Sequence, residues 1–120
     1  MTATQTAAAA IAGASAVIAL VGSRYWPDRA SVDSPALPYI TFQVITELRD
    51  DFLAGPGQGK RCRIQFNCYG KTRAAADALA DALEAALKLT GWIKFRQGTY
   101  DFEAQAYWAQ IDWSVAIASP

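Results

Sequence analysis

The chain has 120 residues, a length typical of one domain that is large enough to bury a hydrophobic core. Its eleven basic and eleven acidic residues cancel, so the composition does not support a protein that grips nucleic acid through a broad basic surface. Histidine is absent from the sequence, which removes the commonest general base and the commonest metal ligand.

The first predicted element is a helix at the start of the chain. Residues 4–21 carry no charge and are rich in alanine, and their heavier packing residues are Ile11, Val17, Ile18 and Leu20. No lysine or arginine precedes the apolar part, a glycine and a serine interrupt it, and it is too short for a membrane span. The sequence therefore predicts a soluble, largely buried helix over residues 4–21 rather than a secretion signal or a transmembrane helix.

A connection and a strand are predicted next. Residues 22–38 contain three prolines and are expected to link elements, with a short extended piece at residues 24–26. Residues 39–46 are rich in β-branched and aromatic side chains, which predicts a strand. The apolar side chains of this strand share one face: Ile40, Phe42 and Val44.

The segment of residues 47–59 is longer than an ordinary hairpin loop and contains the sequence Gly-Pro-Gly-Gln-Gly. Two interpretations stay open for it: a flexible hairpin tip, or an arm that contacts a partner. The arm interpretation rests on the apolar residues Leu48, Phe52 and Leu53, which a solvated tip has little reason to carry.

The middle of the chain predicts a strand with one buried face. Residues 61–70 alternate, and the apolar positions are Cys62, Ile64, Phe66 and Cys68. The two cysteines would lie roughly 20 Å apart along this strand, whereas a disulfide needs Cα atoms within about 7 Å. Both cysteines are therefore predicted to be buried and reduced.

An amphipathic helix is predicted directly after this strand, over residues 72–89. Alanines and leucines recur every three or four residues, and the leucines are Leu79, Leu83 and Leu87. Thr72 is the expected N-cap, and the pair Thr90-Gly91 is a suitable stop. The opposite side of the helix is polar, with Asp77, Asp81, Glu84 and Lys88.

The last part of the chain predicts extended structure. Two short pieces are expected at residues 92–96 and 99–103, on either side of Gln97-Gly98, followed by a long strand over residues 106–117. One face of the long strand carries Tyr107, Ile111, Trp113, Val115 and Ile117, and the other carries Trp108, Gln110, Asp112 and Ser114. Asp112 is expected to pair across strands with Arg61 or Arg63. The elements together predict an α+β fold with a mainly antiparallel sheet of about four strands and two helices packed on one face.

The sequence contains no pattern that predicts an enzyme, a cofactor site or a metal site. Glu47, Asp50 and Asp51 form an acidic cluster, but they lack the spacing of an EF-hand, and a solvated loop face explains them better. A pair of catalytic carboxylates cannot be assembled from the remaining acidic residues. We therefore predict no catalytic, cofactor-binding or metal-binding residues.

The polar side of the predicted sheet has the composition of a protein interface, because it mixes arginine with large aromatic residues. It could also simply meet water, as one face of an antiparallel sheet often does. The four tryptophans of the chain favour assembly. The residues predicted to contact another subunit or partner are Arg49, Asp50, Phe52, Leu53, Arg61, Arg63, Tyr69, Trp108 and Asp112.

The order of elements and three segments resemble the small tail-completion (tail terminator) family of long-tailed bacteriophages. The segments are RYWP at residues 24–27, LPYITF at residues 37–42 and RIQFNCYGKTRAAADALA at residues 63–80. The likeness covers nearly the whole chain, and its most specific part is the junction of strand and helix. The tryptophan-rich C-terminal strand departs from the commoner pattern of the family.

This resemblance implies one tail-terminator-like domain over residues 1–120 and a non-enzymatic virion protein. Such proteins form a ring, usually of six subunits, that caps the completed tail tube and joins it to the head connector. The implied partners are other copies of the chain, the tail tube protein and the connector or stopper protein; DNA only passes through the ring, and no membrane or cofactor is involved. The implied location is the tail at the head–tail interface, after assembly in the host cytoplasm. The alternatives are a small-molecule- or protein-binding α+β module of unknown ligand, or an unrelated small enzyme.

Overall fold

The computed structural model describes residues 2–30, 36–49, 60–102 and 105–117. The helices are α1 (Ala3–Ala12), α2 (Ser15–Val21) and α3 (Arg73–Leu87), and the strands are β1 (Tyr25–Pro27), β2 (Tyr39–Arg49), β3 (Lys60–Gly70), β4 (Gly91–Asp101) and β5 (Ala106–Ile117). Within these residues the strands form one five-stranded sheet in the order β1-β2-β3-β5-β4, in which only β1 is parallel to its neighbour. The predicted α+β class and the mainly antiparallel sheet are confirmed, with one strand and one helix more than expected.

The prediction of a single helix over residues 4–21 is wrong. The segment forms two helices, and the chain bends by 86° between α1 and α2. Gly13 closes α1 by donating its N–H to the Ala9 carbonyl at 2.9 Å, and Ala14 is extended. Glycine costs about 1 kcal/mol relative to alanine in a helix, so this is the position where a break costs least. The bend buries Ile11 and Val17, whereas Leu20, an expected packing residue, is 41% exposed.

No single helix in the described residues is long and apolar enough to cross a membrane. The bent pair of α1 and α2 passes the same test by length and composition alone.

The hairpin of β2 and β3 is longer than predicted. Strand β2 continues three residues beyond Thr46 to Arg49, and β3 begins at Lys60. Residues 50–59 lie outside the described part of the chain, so the arm interpretation stays a prediction. The alternation in β3 is confirmed: Cys62, Ile64, Phe66 and Cys68 are fully buried, and both cysteines are free. Burial raises the pKa of the Cys68 thiol from 9.0 to about 12, which makes that thiol inert.

Helix α3 begins where the sequence predicts. The Thr72 hydroxyl accepts the Ala75 N–H at 3.1 Å, which satisfies one of the unpaired donors of the first turn. A side chain at Gly70 would place its Cβ 2.5 Å from the Ala76 nitrogen, so only glycine allows the chain to turn this tightly from β3 into the helix. The turn lays the fully buried Leu79, Leu83 and Leu87 on the sheet.

Strand β4 is continuous, which corrects the prediction of two short pieces separated at Gly98. A Cβ at Gly98 would lie 2.9 Å from the Trp108 carbonyl oxygen, so glycine keeps β4 close to β5 instead of interrupting it. Strand β4 lies at the edge of the sheet, and most of its side chains are exposed. In contrast, β5 is an interior strand between β3 and β4, and Trp113 on β5 donates its indole N–H to the Leu87 carbonyl at 3.0 Å.

Candidate protein interface

The side of the sheet that the helices leave uncovered carries the polar and aromatic side chains, and we call it the open face. Its members alternate with the core residues along the strands, except where the register shifts between Val44 and Thr46 of β2 and between Ile93 and Phe95 of β4. They are Trp26 of β1; Tyr39, Thr41, Gln43, Thr46 and Leu48 of β2; Arg61, Arg63, Gln65, Asn67 and Tyr69 of β3; Trp92, Phe95, Gln97 and Thr99 of β4; and Trp108, Gln110, Asp112 and Ser114 of β5.

One end of the open face is a row of aromatic side chains. Trp26 meets Tyr39 edge to face with ring centroids 6.0 Å apart, and Tyr39 stacks on Tyr69 at 4.6 Å. Tyr69 lies opposite Trp108 in the sheet register. Burial raises the pKa of the Tyr69 hydroxyl from 10.0 to about 12, and it raises the pKa of Tyr39 as well. These hydroxyls therefore stay protonated at physiological pH, and the row is a neutral, rigid surface.

A hydrogen-bonded cluster follows this row. The Asn67 side-chain oxygen accepts the Trp108 indole N–H at 3.0 Å and the Gln65 amide at 3.2 Å. The Asn67 amide in turn donates to the Thr41 hydroxyl at 3.4 Å. Because these groups bond to one another, their rotamers are fixed before any partner arrives, which lowers the entropy cost of binding.

Arg63 and Asp112 form an ion pair on the open face. The Arg63 Nε lies 3.1 and 3.0 Å from the two carboxylate oxygens, and Nη2 also bonds to Oδ2. Hydrogen bonding to Asp112 raises the pKa of Arg63. The pairing that the sequence predicted for Asp112 is confirmed, with Arg63 as the partner. The Asp112 side chain is 8% exposed and the Arg63 side chain 50% exposed, so the arginine covers a nearly buried carboxylate.

Large apolar side chains lie exposed along the edge of the sheet, and this is the feature that the sequence reading missed. On and beside β4, the exposed fractions are 84% for Leu89, 60% for Trp92, 52% for Phe95, 36% for Tyr100 and 83% for Phe102. Near the opposite edge of the sheet, Ile45 and Leu48 of β2 are 41% and 65% exposed. The apolar sequence near residue 92 predicted strands, but not that the strand lies at an edge, because the strand order is not visible in the sequence.

The sequence matches the family model described as "Tail completion protein gp17" over residues 7–118. The chain belongs to this family. Family membership makes it a structural protein of the bacteriophage tail, as the resemblance implied, and the family is not one of enzymes. Among curated proteins, no sequence matches the chain significantly.

A chain from a solved structure has the same fold as this member of the family. It comes from the structure described as "Virion of native gene transfer agent (GTA) particle". The two chains superpose with a TM-score of 0.70 and are 16% identical, and the match covers 94% of this chain and 92% of the other. At this identity the likeness establishes the fold alone.

The residues predicted to contact a partner fall into two groups in this family member. Arg61, Arg63, Tyr69, Trp108 and Asp112 lie together on the open face. The second group belongs to the hairpin end: Arg49 is the last residue of β2, and Asp50, Phe52 and Leu53 lie outside the described residues. The contacts themselves stay a prediction for both groups.

The polar side of α3 has a structural role that the sequence reading also missed. Arg96 of β4 reaches across to this helix, where its Nη1 lies 2.6 Å from an Asp81 oxygen and 2.9 Å from a Glu84 oxygen. The sequence shows the polar side of the helix but not this contact, because the partner lies on a strand twelve or more residues later. The contact ties the edge strand to the helix layer.

An open groove of about 510 Å³ lies between α1 and one end of β5. Its lining is Thr6, Ala9, Ala10, Thr90, Trp113, Val115, Ala116 and Ile117. The polar side chains in this lining are two threonine hydroxyls and the Trp113 indole, which is already bonded to Leu87. A small-ligand site normally has several convergent polar groups, so the groove does not favour the small-molecule alternative. The described residues also contain no cluster of three or more histidine, cysteine or acidic side chains that could hold a metal ion.

Proposed function

We propose that this tail completion protein forms a ring, with six copies as the expected number, that caps the finished tail tube and joins it to the head connector. The proposal rests on membership of the family together with one observation. A subunit with its own hydrophobic core still exposes large apolar side chains at two opposite edges of its sheet. Exposed apolar groups of this size mark protein interaction surfaces.

The partners follow from the same proposal. Other copies of the chain meet the apolar edges, while the tail tube protein and the connector or stopper protein meet the two ends of the ring. Aromatic residues and arginines are enriched at the centres of protein interfaces, and the open face holds Tyr69, Trp108 and Arg63 in fixed positions. The formal net charge of zero suits a protein that lets DNA pass without binding it tightly.

The proposal is tested by measuring native mass and tail joining. Light scattering on the purified protein should give about six times the subunit mass of 12.9 kDa, either alone or after adding tail tubes. Tails assembled without this protein should join to heads only when the purified ring is added, which electron microscopy can count. A protein that stays monomeric at high concentration and also with tail tubes would contradict the proposal.

A further inference from the structure

The described part of the sheet has two strand edges without a partner strand. Strand β4 pairs with β5 on one side only. On the far side of the sheet, β1 pairs with Ile40–Phe42, and no other described residues pair with the outer edge of residues 43–49 of β2. Monomeric proteins usually protect such edges, because an unpaired strand is a template for adding another strand.

The apolar side chains concentrate on these two edges. Trp92 and Phe95 on β4 are more than half exposed, as is Leu48 on β2. All three point to the open face, since Trp92 and Phe95 lie opposite Ser114 and Asp112, and Leu48 lies opposite Arg61. If the two edges met with residues of the same level opposite each other, Leu48 would lie diagonally next to Trp92 across the strand pair.

The two edges also lie at the same level of the sheet. Following the register from β4 to β2, Trp92 lies opposite Ser114, then Arg63, then Thr46. Phe95 lies opposite Asp112, then Gln65, then Gln43 by the same register. The apolar half of β4 is therefore level with residues 43–47 of β2, whereas β1 occupies the level of residues 96–98.

The strand directions fit as well. Strands β2 and β3, β3 and β5, and β5 and β4 are antiparallel in turn, so β4 runs opposite to β2. A second copy rotated about an axis along the strands would present its β4 antiparallel to the uncovered part of β2. Each segment contains one β-bulge or irregularity, between Val44 and Thr46 and between Ile93 and Phe95, and the two lie at the same level of the sheet. The hydrogen bonds of an antiparallel pair would therefore form on either side of this level.

We propose that subunits join head to tail by strand pairing, with residues 91–95 of one copy added to residues 43–47 of the next copy. This inference rests on the proposed ring and states how the ring closes. The contact uses two different surfaces of the subunit, which is what a ring requires, whereas pairing of β4 with another β4 would stop at a dimer.

Cysteine cross-linking tests the register directly. In a protein that carries both Thr46→Cys and Trp92→Cys, mild oxidation should link copies into a ladder of multimers that ends at the size of the ring. The native cysteines are buried and should not interfere. As a matched control, Thr46→Cys with Thr99→Cys should give no ladder, because Thr99 is on the same face of β4 but level with Tyr39.

Three outcomes would overturn the inference, and they are distinguishable. Dimers from Trp92→Cys alone would show that two β4 edges pair. A ring of normal mass without cross-links in the double-cysteine protein would refute this contact and leave the proposed function standing. A chain that never forms a ring, alone or on tail tubes, would refute the proposed function and the inference with it.

Added charge gives an independent test. Trp92→Lys with Phe95→Lys should leave a folded monomer, because both side chains are exposed in the subunit, and should weaken ring formation at least tenfold. Thr99→Lys, on the same face of the same strand, should assemble as the unmodified protein does. Equal assembly of all these proteins would contradict the proposed contact.

Discussion

Replacing Leu83 by alanine tests the packing of α3 on the sheet. Leu83 is fully buried, whereas Leu89, two residues beyond the helix, is 84% exposed. Removing a buried leucine side chain costs about 2 to 5 kcal/mol, because the lost apolar contacts leave a cavity. The same change at an exposed position costs little, so Leu89→Ala is a matched control.

The expected change in melting temperature follows from the size of the protein. Unfolding entropy is about 2.1 cal/mol/K per residue near 60 °C, which is about 0.25 kcal/mol/K for this chain. A loss of about 3 kcal/mol should therefore lower the melting temperature of Leu83→Ala by about 12 °C, while Leu89→Ala shifts it by less than about 2 °C. Circular dichroism at a concentration where the protein is monomeric measures both values.

The comparison of the two variants decides whether the reasoning holds. Equal melting temperatures for Leu83→Ala and Leu89→Ala would show that α3 presents a different face to the sheet. Leu83→Asp extends the test, because an unpaired charge buried between α3 and the sheet should leave the chain unfolded or insoluble. A soluble Leu83→Asp protein that melts cooperatively would contradict the same packing.

Three further predictions concern the open face, the hairpin and pH. Arg63→Ala should lower the melting temperature more than Asp112→Ala does, because it leaves a nearly buried carboxylate without its partner; the reverse order in a thermal melt would contradict this. Replacing residues 50–59 by an Asn-Gly turn should keep the melting temperature within a few degrees but reduce tail joining. Normal tail joining by this variant would refute the arm interpretation and favour the hairpin tip. The free energy of unfolding should fall as pH rises from about 9 towards 12, since the unfolded chain loses the protons of Cys68 and Tyr69 before the folded chain does. Urea unfolding measures this free energy, and a constant value across the range would refute the prediction.

The sequence predicted the elements whose pattern is local. The alternation from Cys62 to Cys68 identified β3 and its buried face, because a strand exposes every second side chain. The spacing of leucines and the Thr72 cap identified α3 in the same way. The ion pair of Arg63 and Asp112 was also predictable, because the alternation places both residues on the polar faces of their strands.

Features that depend on strand order were not predictable in the same way. The exposure of Trp92 and Phe95 follows from the position of β4 at the edge, and no local pattern distinguishes an edge strand from a central one. The contact of Arg96 with Asp81 and Glu84 likewise depends on which strand lies beside α3. The break at Gly13 has a local signal, but glycine lowers helix stability by only about 1 kcal/mol relative to alanine. The packing of the two short helices therefore determines that the chain bends there.

The position of β5 between β3 and β4 has a consequence for synthesis of the protein. Strand β5 follows every other described strand in the chain, yet it is the strand that joins β3 to β4. Until the ribosome has released the residues of β5, the sheet cannot close, and the edge of β4 has no scaffold to hold it. Incomplete chains should therefore lack an ordered β4 edge, so that, if subunits join through this edge as proposed, prematurely terminated copies would be excluded from assembling particles.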